Sequence, residues 1–448
     1  MEDVILGRVI TAATLGFHII FATLGVGIPV AIMVLEFLGI KKNDSHYLTM
    51  ARRIAKGFTV TVAVGVVTGT IIGLQLSLIW PEFMRLGGQI IALPLFMETF
   101  AFFFEAIFLG IYLYTWDRFK NPWHHWILTI PVVIGSTLSA FFITTVNSFM
   151  NTPAGFELTA DTFVNIDPIA AMFNPSTWVR VFHVVATAYM TAIFILGSIA
   201  AFKLIRSKFK EDREYHKKGL KVMMSMGVVF GLLTMLAGDF SAKFLHEEQP
   251  EKLAAMEWHF ETESHADLIL FGVLDEENQE VNYEIRIPWM LSFLSGNSFD
   301  TEVTGLNDIP EDEHPPLIIH YFFDLMVVFG MYAFGISVLY FIAKFTKGLN
   351  EHHPSLLYAY VLAGPLSMLA IEAGWFLAEM GRQPWILRGY MKVSEAVTNA
   401  DGLGVTLLAF VGLYAVLGFT CVYVLLKMYK DQSAEASRLE YYGKRGDE

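Results

Sequence analysis

A single cysteine, Cys421, occurs in 448 residues. One cysteine excludes an intrachain disulfide, a CxxCH haem attachment and a cysteine-held iron–sulfur cluster made by this chain alone. Charge is sparse as well: Asp, Glu, Lys and Arg supply 17% of the residues, and the basic ones are outnumbered, 31 against 44. Residues 1–8 carry Glu2 and Asp3 where a signal peptide would have a basic region, and the first apolar block is too long for a signal core. No repeat with a period of 20–50 residues, no low-complexity tract and no second soluble domain is visible.

Apolar sequence fills the chain instead. Hydrophobic residues make up 54% and aromatics 14%, with mean hydropathy +0.48. They fall into nine stretches of bilayer-spanning length: 9–37, 54–80, 89–116, 126–150, 178–204, 219–240, 317–343, 356–380 and 403–426. The predicted fold is an all-α integral membrane protein of about nine transmembrane helices. Residues 1–240 hold helices one to six, 241–316 form one long external loop, and 317–448 hold the last three helices and a tail. Segments 41–56, 117–125, 203–221, 344–353 and the tail carry 22 of the 31 basic residues. The positive-inside tendency makes that side cytoplasmic, with the N-terminus outside and the C-terminus inside. Segment 239–316 holds 19 acidic and three basic residues, an external acidity that argues against nucleic-acid partners. Trp80, Trp116, Trp126, Trp178 and Trp385 fall near span ends, as an interfacial belt places them.

Within the long loop, QPEKLAAMEWHFETE reads as a helix, with Leu253, Met256 and Phe260 on one face. The later PWMLSFLSGNSFD reads as an irregular lid with apolar anchors. Lys252 and Glu257 sit five apart on that helix, and nothing local separates them from an ordinary solvated pair.

Ionisable groups inside apolar spans carry more information, because burying a charge in hydrocarbon is costly. In GWFLAEMGRQPW, Glu379 ends a span and Arg382 follows at once. The pair reads equally as a metal or proton site near one face and as a structural ion pair. Span three places Glu98 and Glu105 seven residues apart, on one face and about 10 Å apart along the axis. With no basic residue in that span, the pair points to a proton relay more than to mutual hydrogen bonding. Ser139 and Asn147 in span four could line such a path. His18 lies among small residues that let a flat ligand approach, and His183 lies roughly 8 Å in from the outer end of its span. A histidine at either place also fits a plain helix–helix hydrogen bond. Met326 lies at a depth similar to His183; a lone Met is usually packing, but His/Met is an established haem axial pair.

Taken together, GWFLAEMGRQPW, WDR (Trp116 to Arg118) and QPEKLAAME resemble subunit I of cytochrome bd, a quinol-oxidising terminal oxidase of prokaryotes. The resemblance covers nearly the whole chain and is nearest the branch with a short external loop, the Q-loop. It implies two haem b groups, one low-spin and one high-spin, and one haem d, a chlorin at which O2 is reduced. His183 and Met326 would be axial ligands of the low-spin haem b, Glu379 would serve the high-spin haem b, and Trp375 would lie between haem planes. His18 would ligate the second high-spin site, taken as haem d. Glu105 would belong to the proton path, lined by Ser139; His124 would lie near its entrance, and Glu98 aligns only loosely. Lys252 and Glu257 would be quinol-site residues. Asp324 departs from the Arg of long-loop members, so charge compensation of haem propionates would differ. The implied enzyme oxidises quinol outside, reduces O2 with cytoplasmic protons and builds proton motive force without pumping, in a prokaryotic cell membrane. A second integral membrane subunit is implied, and a small extra subunit is left open. The competing class is a secondary transporter using Glu98, Glu105 and Glu379 as coupling-ion sites, although no inverted repeat is visible.

Overall fold

The computed structural model describes residues 2–159, 162–206, 208–430 and 432–443. Lys444 and Arg445, counted among the tail cations, lie outside the described residues. Without water to bond to, backbone N–H and C=O groups in hydrocarbon must satisfy one another, which leaves helices as the spanning element. In order the helices are α1 (Glu2–Lys42), α2 (Ser45–Ile79), α3 (Pro81–Tyr114), α4 (Pro122–Ile127), α5 (Thr129–Asn151), α6 (Pro168–Met172), α7 (Thr177–Arg206) and α8 (Arg213–Glu248). After them come α9 (Pro250–Glu257), α10 (Met290–Gly296), α11 (Ile319–Phe345), α12 (Pro354–Met380), α13 (Val393–Ala396), α14 (Leu403–Tyr429) and α15 (Ala434–Tyr442). Among the described residues, nine helices are long and apolar enough to cross a membrane. The nine predicted spans fall on these helices, and several helices run further. At 41 residues α1 reaches about 60 Å, twice the hydrocarbon thickness, so its ends stand in the polar regions.

The long helices pack as two four-membered rings. In one, α1 lies against α2 and α5, and α3 closes the ring between α2 and α5. In the other, α7, α8, α11 and α12 pack in cyclic order, so α7 and α11 stand diagonally. The α7 helix joins the rings through α1 and α5, and α14 lies outside against α1 and α2. Val405, Leu408, Phe419 and Leu426 of α14 are exposed, an apolar face suited to lipid or to a membrane partner. One end of the assembly, the loop face, gathers the end of α8, the start of α11 and the end of α12. The opposite end, the tail face, carries α15, whose first amides, Ala434 N and Glu435 N, donate to the buried Asp212 carboxylate at 2.9 and 3.0 Å. Arg53 donates to Ser437 at 2.6 Å and holds the same helix down.

Two details of the long loop differ from expectation. The α8 helix continues to Glu248, eight residues past the predicted end of its span, and α9 stops at Glu257 rather than running through Phe260. Trp258 closes α9 in the left-handed region, φ 49°, while its indole donates to Leu317 O at 2.8 Å. PWMLSFLSGNSFD, which reads as an irregular lid, holds the short helix α10, and ahead of it lies a nested antiparallel hairpin. Its outer pair is β3 (Leu268–Leu270) and β6 (Ile285–Ile287), labelled around β4 (Val273–Asp275) and β5 (Glu280–Asn282). Elsewhere β1 (Glu157–Thr159) pairs with β2 (Thr162–Val164), and β7 (Trp385–Leu387) with β8 (Met391–Lys392).

Close contact between the two rings depends on Gly27. A Cβ there would sit 2.3 Å from Ala192 Cβ and 2.6 Å from Ala188 O on α7, with backbone as one of the obstacles. Gly27→Val should therefore push α1 from α7, an overpacking penalty of about 1–3 kcal/mol. The expected outcome is a fall of several degrees in the melting temperature of the detergent-solubilised protein; unchanged melting would show that the interface can absorb the side chain.

Candidate functional site

The residues singled out at the end of α12 meet on the loop face. Glu379 receives two donors: Asn147 Nδ2 of α5 at 2.6 Å and Arg382 Nη2 at 2.8 Å. Asn147 Oδ1 in turn accepts from Arg180 of α7 at 3.2 Å, and Arg180 also donates to Gln249 at 3.3 Å. Gln249 reaches Asn151 O at 3.3 Å and so closes a network across both rings and the start of α9. Arg388 adds a further strap, bonding Glu251 at 2.7 Å and Glu248 O at 2.8 Å. The ion-pair reading of Glu379 and Arg382 is thus realised in the geometry, inside a larger network that sequence reasoning missed. Arg180 carried no motif of its own; only the packing of α7 beside α5 reveals it.

Lys252 and Glu257 are not a solvated pair. Both are buried, 4% and 2% exposed. Lys252 Nζ donates to Ala378 O at 3.2 Å, one residue before Glu379, and a Cβ at Gly381 would stand 2.6 Å from Lys252 Cε. Glycine at 381 is what lets the lysine lie against the end of α12. Burial pushes the Lys252 ammonium well below the usual lysine range, with the Arg180 charge acting in the same direction and Glu379 opposing. Burial pushes the Glu257 carboxyl well above the usual carboxylate range, and the Asp324 charge adds to it. Glu257 Oε2 has no hydrogen-bond partner. A shifted acid and a shifted base thus lie under one loop, the pattern of a site that handles protons.

Asp324 clamps that loop. Its Oδ2 accepts from Phe271 N at 2.6 Å and lies 3.3 Å from His320 Nε2. His320 Nδ1 is 2.8 Å from Met256 O, and its ring stacks on Trp258 at 3.8 Å. The departure at position 324 is therefore a tie between α11 and the external hairpin, and His320 is occupied as its partner.

Deeper in the second ring, His183 on α7 and Met326 on α11 come from diagonal helices, a placement suited to opposite faces of a flat ligand. Gly374 of α12 allows Met326 close in: a Cβ there would be 3.1 Å from Met326 Sδ. The neighbouring Trp375 is half-buried. His183 Nδ1, Arg180 Nε and Arg382 Nη1 are buried without a hydrogen-bond partner. Leaving such a group unpaired costs about 1–3 kcal/mol, so an imidazole-ligated macrocycle with anionic edges fits these residues. No three His, Cys, Asp or Glu side chains among the described residues converge on a direct metal site.

In the first ring, His18 Nδ1 lies 2.8 Å from Thr68 Oγ1, and Gly69 opens the space beside the ring. Glu98 accepts from Ser139 at 2.9 Å. Glu105 is 4% exposed, and its Oε1 has no partner. Gly135 of α5 seats it: a Cβ there would be 2.9 Å from Glu105 Cβ. The two carboxylates share the α3 stripe without a hydrogen bond between them, and His124 is exposed while its neighbour His125 is buried. Glu36 in span one and Glu372 in span eight are intramembrane carboxylates that the same criterion could have found in the sequence. Glu372 Oε1 is buried and unpaired.

Membrane-length helical rings, buried unpaired cationic donors and a loop with a shifted acid and base suit a membrane protein that binds an anionic cofactor and handles protons. Comparison with known proteins gives the family. The profile of cytochrome bd terminal oxidase subunit I matches residues 6–433. A Bacillus subtilis (strain 168) protein provisionally named cytochrome bd menaquinol oxidase subunit I is 44% identical over 431 residues, 96% of this chain and 97% of the relative. The cytochrome bd ubiquinol oxidase subunit 1 of the same organism is 31% identical, over 96% of this chain and 94% of its own length. The bd oxidase structure from Geobacillus thermodenitrificans superposes with TM-score 0.91 at 56% identity, covering 96% of this chain and 98% of that one. The chain belongs to the cytochrome bd oxidase subunit I family. It is a quinol:oxygen oxidoreductase subunit of a bacterial membrane, works with a second subunit and is expected to carry haem. That membership removes the ground for a secondary transporter.

If Asp324 is the clamp, Asp324→Leu leaves the Phe271 amide without its acceptor and removes the carboxylate beside His320. Hydrogen exchange at Phe271 and its neighbours should then rise about tenfold, within the 1–3 kcal/mol of a lost buried partner. Exchange unchanged from wild type would mean that the hairpin is held from elsewhere.

Proposed function

We propose that this subunit takes electrons from quinol under the Q-loop on the outer face and serves O2 reduction with protons drawn from the tail face, without pumping. The observation that carries the reading is the burial of Lys252 and Glu257 beside the Glu379–Arg382 network. The orientation rests on the lysines and arginines: the tail face holds most of them, so it is cytoplasmic and the N-terminus lies outside. His183 and Met326 would hold the low-spin haem b, Glu379 would serve the high-spin haem b, His18 would serve the haem d, and Trp375 would lie beside these groups. When bound, these groups supply one-electron transfer and the reduction of O2 to water.

The chain's own residues manage position and protons. Glu257 accepts a proton from quinol, since a carboxyl with a raised pKa is a stronger base than an ordinary carboxylate once ionised. Lys252, its ammonium destabilised by burial and cationic neighbours, orients the quinol oxygen by hydrogen bonding. Arg180 and Arg382 offer their free N–H groups to propionates, while Asn147 fixes Glu379. On α3, Glu105 takes up protons from the cytoplasmic side, and Glu98 with Ser139 continues the stripe outward. Protons released outside and consumed from inside separate charge across the membrane. The second integral membrane subunit, and any small extra subunit, would bury apolar faces such as that of α14.

Met326→Leu keeps volume and apolarity but removes the sulfur. The fold should survive, while the low-spin haem turns high-spin or falls in potential; an unchanged low-spin spectrum and midpoint potential would exclude Met326 as a ligand. For the loop, the base form of Glu257 must be the carboxylate, and its pKa is raised. Quinol oxidation should therefore climb with pH above the usual carboxylate range. Glu257→Gln should flatten that climb and lower the rate about 10²-fold or more, with artificial donors that bypass the loop still accepted. An equal loss by both electron routes would assign Glu257 to folding or haem content.

A further inference from the structure

On the tail side of α1 lies a buried set that none of these roles uses. Glu36, His125 and Tyr112 are 2%, 3% and 1% exposed. Tyr112 OH donates to Glu36 Oε2 at 2.7 Å, and His125 Nδ1 lies 2.6 Å from Glu36 Oε1. His125 Nε2 lies 2.9 Å from the carbonyl oxygen of Tyr112. A carbonyl oxygen only accepts, so Nε2 carries a proton; the Glu36–Nδ1 contact then holds one more between two atoms. The pair is either imidazolium with carboxylate or imidazole with carboxylic acid.

Its position on α3 links it to the carboxylates. Tyr112 follows Glu105 by seven residues, as Glu105 follows Glu98, so the three occupy one stripe at about 10 Å intervals. Beside Tyr112, one turn before it on α3 at Leu109, lies a cavity of about 10 Å³ lined by Pro29, Ile32, Leu109, Tyr112, Thr129 and Val132. That is room for about one water. Thr129 spends its hydroxyl proton on Trp126 O at 2.7 Å and keeps lone pairs for such a water. Glu105, one turn before Leu109 on α3, has its Oε1 buried and unpaired.

We propose that Glu36 and His125 form a proton-loading pair at the cytoplasmic foot of the α3 stripe, passing protons through the Tyr112 hydroxyl and one water to Glu105. The proposal rests on the reading of Glu105 as the carboxylate that takes up protons. One proton and no electrons move in the step. A proton arriving from the tail side converts the pair to carboxylic acid plus imidazolium. The Tyr112 hydroxyl rotates to accept from the acid and donates toward the cavity, the Glu105 carboxylate is protonated, and the pair returns to its one-proton state. A clamp joining α1, α3 and α4 would need the same contacts but no mobile proton.

The test uses the purified multisubunit holoenzyme and the variants Glu36→Gln, Glu36→Asp, His125→Gln and Glu105→Gln. Haem content from visible spectra, turnover, quinol KM and the solvent deuterium isotope effect are measured together. Glu36→Gln should keep haem and KM, lose at least tenfold in turnover and show a larger isotope effect, with partial recovery in Glu36→Asp. Wild-type turnover in Glu36→Gln beside a slow Glu105→Gln overturns the loading pair and leaves the Glu105 path standing. Wild-type turnover in both overturns the path as well. If Glu36→Gln fails to assemble, His125→Gln is decisive: a raised isotope effect at full haem content supports the proposal, and a wild-type one overturns it. Loss of haem in both variants assigns the pair to clamping and overturns the proposal.

Discussion

A carboxylate at the edge of hydrocarbon must be paired, and at the end of α12 the pairing of Glu379 organises the loop face. Its two donors come from different places: Arg382 from the turn that follows, and Asn147 from α5 in the other ring. Through Asn147 the tie reaches Arg180, and through Arg180 it reaches Gln249 at the start of α9. Two helical rings and an external loop are thereby set in register by one electrostatic requirement. Low dielectric makes each of these hydrogen bonds stronger, and makes an incomplete set more costly. The donors left over, on Arg180 and Arg382, are where a bound group with anionic edges would complete the network.

The loop above is built to exclude water without relying on the membrane. Leu253, Ala254, Ala255 and Met256 are buried against Leu291, Leu306 and Ile319, so α9 sits on an apolar bed of its own. Asp324 pins the hairpin to α11 from below, and His320 ties α9 to the same helix. Burial of Lys252 and Glu257 follows from this packing, and their shifted proton affinities follow from the burial. Polarity in the other ring is arranged lengthwise instead. Glu98 and Glu105 line one stripe of α3, held by a serine and by a glycine that brings α5 close. One side of the protein therefore concentrates charge in a plane, and the other strings it along the membrane normal.

Much of this was legible in the residues. Hydropathy alone separates nine spans because unsatisfied backbone cannot exist in hydrocarbon, and that constraint acts residue by residue along the chain. Carboxylates within spans were visible for the same reason, and GWFLAEMGRQPW declared its end of α12 before any contact was known. Glu36 obeys the same rule yet stands alone in its span, while Glu372 precedes Glu379 by seven residues, the spacing that marks Glu98 and Glu105. For Lys252 and Glu257 the sequence offered only spacing on a short helix, since burial there comes from distant segments.

Composition and periodicity determined that the chain is helical, that it crosses a membrane about nine times and which residues carry charge into it. These are local properties, set by each segment's transfer from water to lipid. Tertiary structure decided which of those charges are neighbours. Whether Glu379 meets Asn147, whether Asp324 faces a propionate or a loop amide, and whether His124 or His125 is the buried imidazole depends on helix rotation and ring order. Those choices are made by packing at contacts such as Gly27 on α7 and Gly135 on Glu105, where a single Cβ would forbid the approach.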